Sequence, residues 1–148
     1  MSNLFNGFSI DKYKIKNPPK DNSLTTLKEI KDLYSITDCY VSPYRAEGFN
    51  LTPLEAAACG SQIVITKGGC TDDYYNPCLG FQIESSEKKV DDKYFLTPNI
   101  DSLVNILEEK VINKPDNSKM ERSNYVVKNF SWDKVVSKLK EEFRNKLK

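Results

Sequence analysis

Histidine is absent from all 148 residues. Its absence removes the commonest general base near neutral pH and the commonest zinc ligand. Four cysteines are present, Cys39, Cys59, Cys70 and Cys78, but none forms a C-x-x-C pair. Cys39 and Cys59 fall on an apolar run and at a tight helix end, where a thiol acts as a small apolar side chain. The expectation is no metal and no disulfide. No apolar run approaches the length of a membrane span, and the N-terminus lacks the basic-then-apolar pattern of a signal peptide, so the cytoplasm is the expected location. Charge of one sign is lacking as well: 22 Lys+Arg against 21 Asp+Glu leaves a net charge of +1. A nucleic-acid binder needs a concentrated basic face, so no nucleic-acid partner is expected. No G-x-G-x-x-G follows any apolar run, which makes a dinucleotide-dependent dehydrogenase a poor reading.

What is present suits one soluble globular domain, with 39% hydrophobic and 29% charged residues. The chain is organised around Asp38–Gly60. A short apolar run, Cys39 to Val41, ends at Pro43, which cannot donate to a sheet ladder. A loop holding Gly48 follows. Thr52-Pro53-Leu54-Glu55 then carries helix-start signals: a hydroxyl for the N-cap, proline at the first helical position and glutamate at the third. Ala56, Ala57 and Ala58 propagate that helix, and Gly60 offers a left-handed stop. Strand, glycine loop and helix make the unit with which α/β proteins hold phosphorylated ligands at the carboxyl end of a sheet.

On either side the pattern stays α/β. Residues 1–23 are polar and read as a connector, with Tyr13-Lys14-Ile15 a candidate strand. Residues 24–148 form the domain. Thr26-Leu27-Lys28-Glu29 matches a capping box ahead of Leu27, Ile30, Leu33 and Tyr34 at helical spacing. Gln62–Thr66 is a β-branched strand apolar enough for burial on both faces. Gly68-Gly69-Cys70-Thr71-Asp72-Asp73 is a loop needing unusual backbone angles. Gly80–Ile83 is a third strand, and residues 84–93, charged and without period, read as a surface insertion. Helices follow: one behind an Asn99 or Asp101 cap with Leu103, Val104, Leu107 and Val111 as its stripe, a weaker one over 118–129, and a last one capped by Ser131. That last helix aligns Trp132, Val135, Val136, Leu139 and Phe143 on one face.

Glu47 and Glu55, with seven residues between them, Gly48-Phe49 after the first and Ala56-Ala57-Ala58-Cys59-Gly60 after the second, resemble the E-x7-E signature of retaining glycosyltransferases. More narrowly the stretch resembles the family-4 group, whose usual form is P-S-x-x-E-G-F-G-L-P-x-x-E-A-M-A-C-G. It departs at Asn50 for glycine, Thr52 for a small residue or proline, and Ala57 for methionine. Leu27 through Asp38 is similar to that family's E-L-x-x-L-Y-x-x-A-D. Gly68–Asp72 resembles its G-G-x-x-E loop with aspartate for glutamate, and Phe130-Ser131-Trp132 its terminal helix.

The resemblance implies a Rossmann-like parallel sheet flanked by helices, an incomplete half of a two-domain glycosyltransferase fold. It implies the donor-binding part of an enzyme that moves a hexose-like sugar from a nucleoside diphosphate to an acceptor hydroxyl with retention. Glu47 would face the donor sugar and act as the catalytic carboxylate. Gly48, Phe49, Asn50 and Leu51 would turn backbone amides toward the sugar and diphosphate, and Glu55 would accept from the ribose hydroxyls. For Glu55 a helix cap competes with that role; for the Phe49 side chain the core is favoured; for Arg45 an exposed loop arginine is favoured over a phosphate contact. The donor is a substrate, and no cofactor or metal is implied. The family's diphosphate-clamping lysine and its acceptor domain with a catalytic histidine have no counterpart here, so an N-terminal acceptor domain or partner chain is the expected complement. An open sheet edge beside the Cys39 strand would otherwise favour self-association. The isolated chain is expected to bind donor in the millimolar range (about 4 kcal/mol) without turnover. The alternative is a non-catalytic, degenerate or regulatory nucleotide-binding module docked on a catalytic partner.

Overall fold

The computed structural model describes residues 26–114 and 116–147; the connector over 1–23 and its candidate strand lie outside the described residues. Chain order runs α1 (Leu27–Ile36), β1 (Cys39–Ser42), α2 (Leu51–Ala58), β2 (Gln62–Thr66), β3 (Gly80–Ile83), β4 (Ser85–Val90), β5 (Lys93–Pro98), α3 (Ile100–Ile106), α4 (Lys119–Phe130) and α5 (Trp132–Lys146). The Thr26 capping box forms as expected, with the Glu29 amide donating to Thr26 Oγ1 and the Thr26 amide to Glu29 Oε2.

Strands β1, β2 and β3 pair in that order, all parallel. Their carboxyl ends therefore share one edge, which is where loops can gather around a ligand. The central strand β2 is buried over Ile63–Thr66, as its run of β-branched residues requires. Ile63 and Ile65 pack on Leu54 and Ala57 of α2, with Tyr74, Leu79 and Val126 completing the core. Gly80 is obligatory at the start of β3: a Cβ there would lie 1.9 Å from the Ile63 carbonyl oxygen. Among the described residues nothing pairs with the outer side of β1. Cys39 begins this edge strand, and burial, helped by Asp116 and Asp38 and opposed by Arg122, pushes its thiol up to about 11.

Helix α4 is fastened to the end of α2 by a buried cation. Arg122, 1% exposed, donates from Nε and Nη2 to the Gly60 carbonyl at 3.1 and 3.0 Å. The same guanidinium pairs with Asp116 through Nη1 at 3.1 Å and through Nη2. Ser123 Oγ donates to the Ala58 carbonyl at 2.7 Å. Carbonyls that α2 cannot satisfy internally thus find partners on α4. Burial pushes Asp116 up, but the hydrogen bonds and charge of Arg122, with the Ser118 amide, outweigh it and leave the carboxyl below its ordinary value.

Two expectations change, and the α5 stripe proves uncovered. Residues 84–93 are not an irregular insertion: β4 and β5 form an antiparallel hairpin pairing Ser85 with Pro98 through Val90 with Lys93. Its two-residue turn, Asp91-Asp92, holds both residues at positive φ (48° and 62°), a turn whose twist matches the strands. The stripe on α3 continues past Ile106 in a wider π turn, Leu107–Ile112. The apolar face of α5 is not core: no residue of α5 is buried, and Trp132 is 82% and Phe143 65% exposed.

Candidate functional site

The β1–α2 loop and the β2–β3 loop meet at the carboxyl edge of the sheet. Their junction is built around Tyr44. Its hydroxyl lies 2.8 Å from Thr71 Oγ1, with the Thr66 carbonyl at 3.3 Å. The Thr71 amide donates back to that hydroxyl, while Thr66 Oγ1 donates to the Tyr44 carbonyl at 3.0 Å. Burial pushes the Tyr44 hydroxyl above its ordinary value, so it stays a neutral donor. Gly69 closes the junction, since a Cβ there would meet Tyr44 Oη at 2.6 Å and Leu96 Cδ1 at 2.8 Å. Asp72 accepts from the Gly68 amide at 2.9 Å and from Gln82 Nε2 at 2.5 Å. It therefore braces its own loop.

Helix α2 starts earlier than its sequence signals suggest. Asn50, not Thr52, is the N-cap residue, in the left-handed conformation (φ 61°, ψ 71°). Its side chain does not cap the helix; Nδ2 donates to Ser42 Oγ at 2.9 Å, and Oδ1 accepts from Thr52 Oγ1 at 3.2 Å. Tyr40 Oη donates to Thr52 Oγ1 at 3.0 Å, and Tyr74 Oη to the Asn50 carbonyl at 2.9 Å. Three side chains, Ser42, Thr52 and Tyr74, thus pin Asn50 in the left-handed region, and Tyr40 holds Thr52 in turn. Pro53 falls at the third helical position and has no N–H. The amides of Leu51 and Thr52 have no protein acceptor among the described residues, and they carry the partial positive charge of the helix end.

The predicted site residues sort as follows. Glu47 is exposed and has no hydrogen-bond or ion partner among the described residues. Gly48 is exposed, with open space where a Cβ would stand. Phe49 is not core: it is 43% exposed and leans on Tyr74, ring centroids 5.4 Å apart. Leu51 is 60% exposed. Glu55 makes no capping box, because the helix begins at Leu51 and places it in the second turn. It is exposed, and its one polar neighbour is Tyr34 Oη at 3.5 Å, the outer limit of a hydrogen bond. Burial, then the charge of Glu55, raises the Tyr34 hydroxyl. Glu55 also borders an apolar groove of about 370 Å³ between α2, α4 and α5, lined by Phe49, Leu51, Leu54, Phe130 and Trp132 among others.

The loop, the first turns of α2 and Glu55 therefore present open carboxylates and unpaired amides at one sheet edge, a combination suited to a ligand bearing both hydroxyls and phosphate. Sequence reasoning missed the pinning of Asn50 by Ser42, Thr52 and Tyr74, although asparagine's tolerance of the left-handed region was the available signal. It also missed Arg122, which no local pattern distinguishes from a surface arginine.

Residues 22–125 match the model of a family described as glycosyl transferases group 1. A curated relative, uncharacterized protein 356 of Sulfolobus islandicus rod-shaped virus 1, is 29% identical over 127 residues. The match covers 79% of this chain and 36% of that protein, so the chain spans little more than a third of its relative's length.

Proposed function

This chain belongs to the group 1 glycosyl transferases, and we propose that it binds a nucleoside diphosphate sugar at the carboxyl edge of β1–β3 for a retaining, family-4-like transfer of a hexose. The observation that carries this reading is the open start of α2. Asn50 spends its side chain on Ser42 and Thr52, so the amides of Leu51 and Thr52 remain for the donor's diphosphate, where the helix end favours negative charge. Gly48, Phe49 and Asn50 extend that row of amides toward the sugar. Glu55, released from any capping duty, offers both carboxylate oxygens to the ribose diol. Glu47 faces the sugar hydroxyls and stabilises positive charge developing at the anomeric carbon.

In the transfer, the bond between the anomeric carbon and the diphosphate oxygen breaks, and the diphosphate keeps the electron pair. The acceptor oxygen forms the new bond on the same face, and its proton passes to the departing diphosphate. Position rather than a side-chain base supplies much of the rate.

The test is a titration of the chain with uridine, guanosine and adenosine diphosphates and their glucose conjugates, followed by amide chemical shifts. Binding of one nucleotide with shifts confined to residues 47–55 is the expected result. Saturable binding elsewhere, or none at millimolar nucleotide, would end this reading.

A further inference from the structure

A diphosphate needs cations as well as amides, and two basic side chains stand on the loops that follow β1 and β2: Arg45 and Lys67. Lys67 is already spent, since its ammonium lies 2.9 Å from Glu84 Oε1. Arg45 has no carboxylate partner among the described residues, yet it is held. The Leu96 amide of β5 donates to the Arg45 carbonyl at 2.8 Å, and the guanidinium carbon stands 5.8 Å from the centre of the Phe95 ring. Both contacts come from one strand of the β4–β5 hairpin. The hairpin is itself anchored at the sheet edge: Ser85 Oγ donates to the Lys67 carbonyl at 2.6 Å, and the Asn99 amide to the Glu84 carbonyl at 2.7 Å. Leu96, 8% exposed, fills the space over Gly69.

We infer that Arg45 is the diphosphate-binding cation of this site and that the β4–β5 hairpin serves as its prop. The inference rests on the donor-site reading and adds to it a residue and an element. An arginine on an aromatic face keeps all five N–H donors free at the edge of its plane while losing freedom to swing into solvent. Its planar fork matches two phosphate oxygens at once. Arg45 also lies on the same loop as Glu47 and Gly48, between the end of β1 and the open start of α2.

The experiment compares each nucleoside diphosphate of the panel with its own nucleoside by calorimetry, at low and moderate salt, for the parent chain, Arg45→Ala, Arg45→Lys and Phe95→Leu. In the parent, the best diphosphate should bind at least about tenfold tighter than its nucleoside. Arg45→Ala should abolish most of that margin and leave nucleoside affinity unchanged. Arg45→Lys should restore part of it with a steeper salt dependence, because lysine acts as a point charge, and Phe95→Leu should lose an intermediate share. Thermal melts of all variants should coincide within a few degrees, Arg45 being exposed. If the parent binds diphosphates and Arg45→Ala binds them equally well, or loses nucleoside and diphosphate alike, the assignment of Arg45 is overturned while the donor site stands. If the parent binds none of the diphosphates, the donor site falls and Arg45 with it.

Discussion

Helices α2 and α5 reverse the usual relation between local signals and burial. α2 has eight residues, no side-chain cap and a proline in its first turn, yet it buries Pro53, Leu54, Ala56 and Ala57. α5 has fifteen residues and a conventional cap, with Ser131 accepting from the Lys134 amide, yet it buries none. A short helix is not stable alone, so α2 exists because its small residues let β2 and α4 close around it. α5 is shaped by its own propensities and its hydroxyl cap. The uncapped end is the one at the sheet edge where a ligand can complete it. Local rules are broken where function is expected, and kept where the helix stands by itself.

The sharpest way to break the contrast is to remove what clasps α2. Arg122→Ala strips the Gly60 carbonyl of two donors and leaves Asp116 unpaired, and should cost about 3–5 kcal/mol in urea unfolding. Next comes the exposed side of α2. Glu55→Ala should weaken nucleotide binding by about 1–3 kcal/mol, through lost charge-assisted hydrogen bonds. Global stability should stay within about 0.5 kcal/mol of the parent, because Glu55 caps nothing. A melt shifted as in a lost cap, with unchanged affinity, would restore the structural role instead. On α5 the expectation is opposite in kind. Ser131→Ala should cost about 1 kcal/mol of local helix stability, visible as faster amide exchange along α5 with exchange in β2 unaltered. The smallest effect is acid sensitivity of the α2–α4 clasp. Asp116 titrates below its ordinary 3.8 in the folded chain, so the unfolded chain takes up the proton more readily. The stability it contributes is complete above that ordinary value and fades as pH falls through the depressed one. Asp116→Asn should flatten the melting temperature's dependence on pH below 4.

These contrasts also measure what could be read beforehand. Of the parallel strands, Gln62–Thr66 was legible because burial on both faces demands a β-branched run, while Cys39–Ser42 and Gly80–Ile83, only partly buried, were legible as short apolar runs. The Thr26 box was legible because it is local. The start of α2 was not: Thr52-Pro53-Leu54-Glu55 is the better local capping sequence, but Tyr40, Ser42 and Tyr74 reach in from elsewhere and settle the turn on Asn50. The hairpin escaped because β4 is exposed over most of its length and β5 buries only Leu96, too little to impose alternation, and its turn uses Asp-Asp where glycine is the usual sign. The stripe of α5 was legible as a stripe; periodicity says which residues share a face and not whether anything covers it. The strand–loop–helix pattern put Glu47 on the loop after β1 and Glu55 on the helix that follows, and there they stand, exposed; their roles came from the resemblance.

Cys39 turns the edge strand into something that can be timed. Thiolates, not thiols, react with alkylating reagents, and with its thiol pushed up to about 11 the closed strand offers almost none at neutral pH. Modification of Cys39 by a small haloacetamide, followed separately from that of Cys59, Cys70 and Cys78, should therefore be slow while β1 stays on β2 and faster when it peels away. The Cys39 rate relative to that of an unstructured cysteine peptide sets an upper bound on how often the strand opens. Run with and without nucleotide, such a measurement reports how far a ligand held by the following loop stiffens the strand that leads into it.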